Sequence, residues 1–147
     1  DPAGVTSPEQ SDMEKMLESG RNVFEISSRE EFDEFYAMTM AQPPFFPDFI
    51  LAAVAEQYKQ RKGQLRAIFQ DFHGKQALDK ALQEIHVPVL LLWGDKDRLL
   101  HVSAVEVWKA GIKDIQVKVW PEIGHMPMME IPSESADVYL EFLKEKS

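Results

Sequence analysis

The sequence predicts an α/β fold in two parts: a helical segment over 8–84, then a β–α–β–α unit of a parallel sheet over 85–147. Three observations carry this reading. Val89 to Trp93 is a continuous apolar run, too short for an independent helix and apolar on both faces, as in a covered strand of a parallel sheet. Gly94 breaks the run, and Asp95 and Asp97 follow at once. Beyond them, a helical pattern, a strand-like alternation and a second helical pattern succeed one another, whereas the residues before 85 hold no run of the Val89 type.

Taken in order, residues 1–7 open with Asp1-Pro2-Ala3-Gly4-Val5, which reads as a loop leaving a core. Ser7-Pro8-Glu9-Gln10 has the form of a capping box with Pro at the first helical position. Met13, Met16 and Leu17 give its helix an apolar face, and Gly20 is a stop signal. Asn22 to Ile26 is a short extended piece. Ser28-Arg29-Glu30-Glu31 is a second capping box, opening a helix with Phe32, Phe35, Tyr36, Met38 and Met40 that Pro43-Pro44 ends. A third helix is expected from Pro47-Asp48 to about Lys62, with Gly63 as the break. A fourth is expected over 64–72 and a fifth over 76–84. These stripes suit a helical bundle core, or a lid that is apolar on two sides. Phe45, Phe46 and Phe49, beside the double proline, are the residues expected at a pocket mouth.

After Asp97, Ser103-Ala104-Val105-Glu106 has the form of a third capping box, and its helix carries Val105 and Trp108 to Gly111. Ile115 to Trp120 alternates as a half-buried strand. Pro121-Glu122-Ile123-Gly124-His125 is the loop at that strand's end. Pro132 starts a last helix with Ala136, Tyr139, Leu140 and Leu143. Two strands joined this way should be parallel neighbours with a right-handed crossover.

The totals narrow the function classes. A chain of 147 residues suffices for one ordinary domain. Its net charge of −9 argues against nucleic acid and anionic membranes as main partners. With no cysteine there is no disulfide framework or thiolate chemistry, and the compartment stays open. No apolar run is long enough to span a bilayer. No histidine pair has ligand spacing on one helix, so no metal site is expected from them; no cofactor is expected.

Chemistry in open α/β sheets sits beyond the carboxyl ends of the strands. Asp97 follows the first strand and His125 the second, so the two can meet at one end of a parallel pair. An aspartate accepting the Nδ1 proton of a histidine fixes its tautomer and supports the imidazolium formed when Nε2 takes a proton. That is the base half of a nucleophile–His–acid device, and the nucleophile would lie within about 3 Å of Nε2. Asp95 is a rival acid, nearer the strand, that could instead brace the turn. His73, His86 and His101 lack a comparable setting.

These residues resemble a known family. Val87-Pro88-Val89-Leu90-Leu91-Leu92-Trp93-Gly94-Asp95-Lys96-Asp97-Arg98, followed by a helix, a strand, Gly124-His125-Met126-Pro127-Met128-Met129-Glu130-Ile131-Pro132 and a helix containing Phe142-Leu143, is similar to the C-terminal end of α/β-hydrolase-fold enzymes. The interval of 28 residues from Asp97 to His125 fits that family. Asp1-Pro2-Ala3-Gly4-Val5, Asn22-Val23-Phe24 and Pro43-Pro44-Phe45-Phe46-Pro47 extend the likeness to the monoacylglycerol-lipase and esterase group related to the mammalian abhydrolase-domain-6 protein.

The resemblance implies a partial α/β-hydrolase fold with residues 8–84 as its cap. It implies Asp97 as triad acid, His125 as triad base, and an ester or lipid substrate. In that fold the nucleophile precedes the acid, in Gly-x-Ser-x-Gly. This sequence contains no such motif. The nucleophile and the oxyanion-hole loop are therefore expected upstream, on a missing N-terminal half, and the chain alone is expected to be inactive. Met126, beside the base, is a candidate for an adaptable apolar wall, with core packing as the alternative. Other chemistries share the Asp–His half: epoxide hydrolases, dehalogenases and carbon–carbon bond hydrolases. A non-catalytic binding protein on the same fold is the remaining alternative. An exposed sheet edge is expected to drive dimerisation, element swapping or aggregation.

Overall fold

The structure is a computed structural model describing residues 1–73 and 78–146, with the side chain of Phe72 left out. Four helices come first: α1 (Asp12–Glu18), α2 (Arg29–Thr39), α3 (Asp48–Gln60) and α4 (Lys62–Phe72). Two 3₁₀ turns, Leu78–Lys80 and Leu82–Glu84, lead to β1 (Val89–Gly94). Then come α5 (Ala104–Gly111), β2 (Ile115–Trp120), α6 (Pro127–Glu130) and α7 (Pro132–Glu145). The two strands pair in parallel, Val89 opposite Ile115 and Gly94 opposite Trp120. That register ends both strands at one level, which is what brings their following loops together.

The helical half packs on aromatics. Phe32 and Phe35 from α2 meet Tyr58 from α3, with ring centroids 5.6 and 5.5 Å apart. Phe24 stands edge-on to Phe35 at 5.4 Å, an arrangement favoured by the ring quadrupoles. Leu99, from the loop after β1, is buried in this same cluster with Met13, Ile26 and Met38. A second cluster joins Leu91 and Trp93 of β1 to Val105 and Trp108 of α5 and to Leu82. Leu100 packs against both clusters, so the loop after β1 stands between the helical half and the sheet.

Local signals were overridden at several places. The first helix starts at Ser11, not Ser7. Ser11 Oγ accepts the Glu14 N–H at 3.1 Å while Glu14 accepts the Ser11 N–H at 2.7 Å, a complete capping box. Ser7 Oγ is instead 2.9 Å from Ser103 Oγ. Ser103 in turn does not cap α5: its hydroxyl also accepts the Glu9 N–H and lies 2.9 Å from His101 Nδ1. At α2 only half the predicted box forms. Ser28 Oγ accepts from Glu31 N–H, but the Glu31 carboxylate takes the N–H of Ser27. The break before α4 falls at Arg61, with Gly63 inside the first turn of the helix. The expected helix over 76–84 is two 3₁₀ turns from Leu78 on, and its start lies outside the described residues. The turn α6 was not anticipated.

Candidate active site

Gly94 ends β1 because nothing larger fits. A Cβ there would lie 2.1 Å from the carbonyl oxygen of Gly124. The missing side chain at Gly94 therefore lets the end of β1 touch the loop that follows β2, while Gly124 lets that loop approach Met40 and Ala41. Backbone bonds lock the contact, Asp95 N–H to Trp120 O at 3.0 Å and Lys96 N–H to Ile123 O at 2.8 Å. Asp95 Oδ1 accepts the Glu122 N–H at 2.7 Å. That bond holds Glu122 at φ 60°, in the left-handed region that side chains other than glycine seldom adopt. Asp95 is thus the brace of the turn.

Asp97 faces the other way. Its Oδ1 accepts the N–H groups of Leu99 and Leu100 at 2.8 and 3.0 Å, which fixes the carboxylate. Its Oδ2 lies 2.8 Å from Nδ1 of His125. The Asp97 side chain is fully buried, while that of His125 keeps 26% of its exposure, so the imidazole can be reached from outside. Between the two aspartates left open in the sequence, the geometry selects Asp97 as the partner of His125.

The His125 loop is also held from the helical side. The His125 N–H donates to Thr39 O at 3.0 Å, satisfying a carbonyl left unpaired at the end of α2. Glu130 Oε2 accepts the N–H groups of Ala41 and Gln42 at 2.9 and 2.7 Å, and its Oε1 accepts the Gly124 N–H at 2.9 Å. One carboxylate thereby joins the histidine loop to the chain leaving α2. Sequence reasoning missed Glu130. Its only signal was its place in Gly124-His125-Met126-Pro127-Met128-Met129-Glu130.

A cavity of about 1000 Å³ opens beside His125. Met13, Leu17, Phe24, Phe69, Leu99 and Leu100 give it an apolar wall, and Gln10, Glu14 and Glu18 a polar one. Phe45, Phe46 and Phe49 do not line it, nor does Met126. The stretch from Pro43 to Pro47 lies on the surface, with Phe45 90% and Phe49 70% exposed. Of the residues that line it, Met13 and Leu17 read in the sequence as the apolar face of the first helix. Asp1 lies against β1, where its backbone nitrogen donates to Leu92 O at 3.1 Å. Asp1, Asp97 and His125 offer two carboxylates and a ring nitrogen within 4.8 Å of one another. That donor set could meet a divalent cation, but Nδ1 is already engaged by Asp97.

No family model matches the chain. It is 30% identical to Lipase 1 of Psychrobacter immobilis over 119 residues, covering 80% of this chain and 38% of that protein. It is 33% identical to a monoacylglycerol lipase of Xenopus laevis over 69 residues, 47% of this chain and 20% of the relative. Among solved structures, a membrane phospholipase A described as a bacterial virulence factor superposes with a TM-score of 0.93 at 32% identity, over 97% of this chain and 46% of the other.

This is part of an α/β-hydrolase fold. The chain resembles the serine hydrolases of the monoacylglycerol-lipase group, and it spans less than half the length of each of these relatives. Within that fold, the loops carrying Asp97 and His125 follow two adjacent parallel strands.

Proposed function

We propose that this chain supplies the acid and base of a Ser–His–Asp triad in a carboxylic-ester hydrolase acting on acylglycerol-like lipids. The serine and the oxyanion hole lie outside these residues. The observation that carries the reading is the 2.8 Å contact between the Asp97 carboxylate and His125 Nδ1 at the ends of parallel strands. Support comes from the lipases and the phospholipase to which the chain is similar. In this reading residues 8–84 form the cap and 85–147 the end of the core.

The chemistry follows from the geometry. With Nδ1 held by Asp97, the Nε2 lone pair is free to take the serine proton as the hydroxyl attacks the ester carbonyl. The buried carboxylate stabilises the imidazolium that results. His125 then gives the proton to the leaving alcohol, and later activates the water that releases the acid. Donors from the absent segment hold the oxyanion, usually a large share of the rate enhancement. The apolar wall from Met13 to Leu100 suits an acyl chain, and methionine adapts to chains of different shape.

The test is hydrolysis of p-nitrophenyl butyrate and octanoate by the full-length protein carrying these residues. Hydrolysis that falls at least about 10³-fold in His125→Gln, with unchanged circular dichroism, is the expected result. Equal activity in the variant would overturn the proposal.

A further inference from the structure

Asp97 is not the sole carboxylate beside the imidazole. Asp1 Oδ2 lies 3.9 Å from His125 Nδ1, and the Asp1 side chain is fully buried. Asp97 is anchored by two backbone N–H groups. Asp1 is not: its Oδ2 accepts only a long bond, 3.4 Å, from the Gly94 N–H, and its Oδ1 has no hydrogen-bond partner among the described residues. A buried carboxylate with so few donors is costly unless a cation stands beside it. The cation this site can generate is the imidazolium of His125.

We infer that Asp1 is a second positioning residue for His125, favouring the imidazolium alongside Asp97 and taking over part of its role when Asp97 is lost. Its attraction strengthens as the histidine gains its proton, so it acts on the charge that develops in the reaction rather than on the resting ring. The charged groups recorded around the imidazole are the Asp97 and Asp1 carboxylates. The kinetic consequence rests on the hydrolase reading above; the pairing of Asp1 with His125 does not.

The experiment compares the full-length protein with Asp1→Asn, Asp97→Asn and the double variant. Asp1→Asn keeps an oxygen for the Gly94 N–H and removes the charge. Losing a negative charge disfavours the imidazolium, so the acidic limb of kcat/KM moves to lower pH by about one unit. At pH 8 kcat/KM falls about tenfold with KM unchanged, Asp1→Glu restores most of it, and the double variant falls about tenfold below Asp97→Asn. NMR titration of the His125 ring moves in the same direction as the kinetic limb. An unmoved titration, or a double variant as active as Asp97→Asn, overturns the inference. If the protein hydrolyses no ester while the titration still moves, the hydrolase reading fails and the pairing stands. Asp1→Ser, with the same readouts, serves if Asp1→Asn does not fold.

Discussion

Replacing Asp97 by Asn leaves an acceptor for the Leu99 and Leu100 N–H groups but takes the charge away from His125. A fall in kcat/KM of about 10³- to 10⁴-fold with little loss of stability is expected, read by ester hydrolysis and thermal melting. Asp95→Ala tests the opposite assignment. It removes the acceptor of the Glu122 N–H, so it should lower Tm and leave kcat/KM within a few-fold. At this scale the sequence was partly legible. Asp97 and His125 were readable because each follows a strand that its own apolar pattern announces. Asp95 and Asp97 were not separable, because only the tertiary partner of each carboxylate distinguishes them. Asp1 was invisible for the same reason, since everything it touches lies far along the chain. Phe45 and Phe49 were placed by composition, which does not say which way a loop turns.

Among the elements, the turn containing Glu130 has the widest effect. Glu130→Ala strips the acceptor from three backbone N–H groups, on Ala41, Gln42 and Gly124. A loss of about 3 kcal/mol, or of order 10 °C in Tm, is expected, together with lower activity from a displaced His125. Gly94→Ala should cost about as much, because its new methyl meets the backbone of Gly124 rather than a side chain that could move. The docking of α1 gives a pH dependence. The Arg98 guanidinium, 2.7 Å from Asp12, holds that carboxyl below its usual value. A lowered carboxylate pKa contributes stability above the unfolded value, and that contribution is lost as pH falls through the folded one. Tm should therefore drop on acidification below pH 4 by less in Asp12→Asn than in the parent chain. The pair is solvent-exposed, so the difference will be small. Elements whose signal was hydrophobic period were mostly found where expected; the start of α1 and the 3₁₀ turns over 78–84 were not. Of the expected caps Ser28 serves α2, whereas the hydroxyls of Ser7 and Ser103, each heading a capping pattern, lie against one another.

For the molecule as a whole, the parallel pair β1–β2 is the sheet among the described residues, and Asp1 bonds to the β1 backbone at Leu92 and Gly94. Val119 on β2 and Tyr139 and Leu140 on α7 are exposed. Open strand edges beside apolar surface favour pairing with another chain. Light scattering of residues 1–147 should show a mass that rises with concentration; a monomer at all concentrations would count against it. The α/β class was legible because a covered strand and a half-buried one differ in pattern, and the parallel order followed from the helix between them. The cavity was not, because it is shaped by α1, α4 and the loops after β1 and β2 together. If these residues hold the base half of a triad completed by a serine elsewhere, peptide mapping of the full-length protein after a fluorophosphonate probe will find one adduct, on a serine outside residues 1–147, that disappears in His125→Gln. An adduct on a serine within these residues, or labelling indifferent to His125, would contradict that assignment.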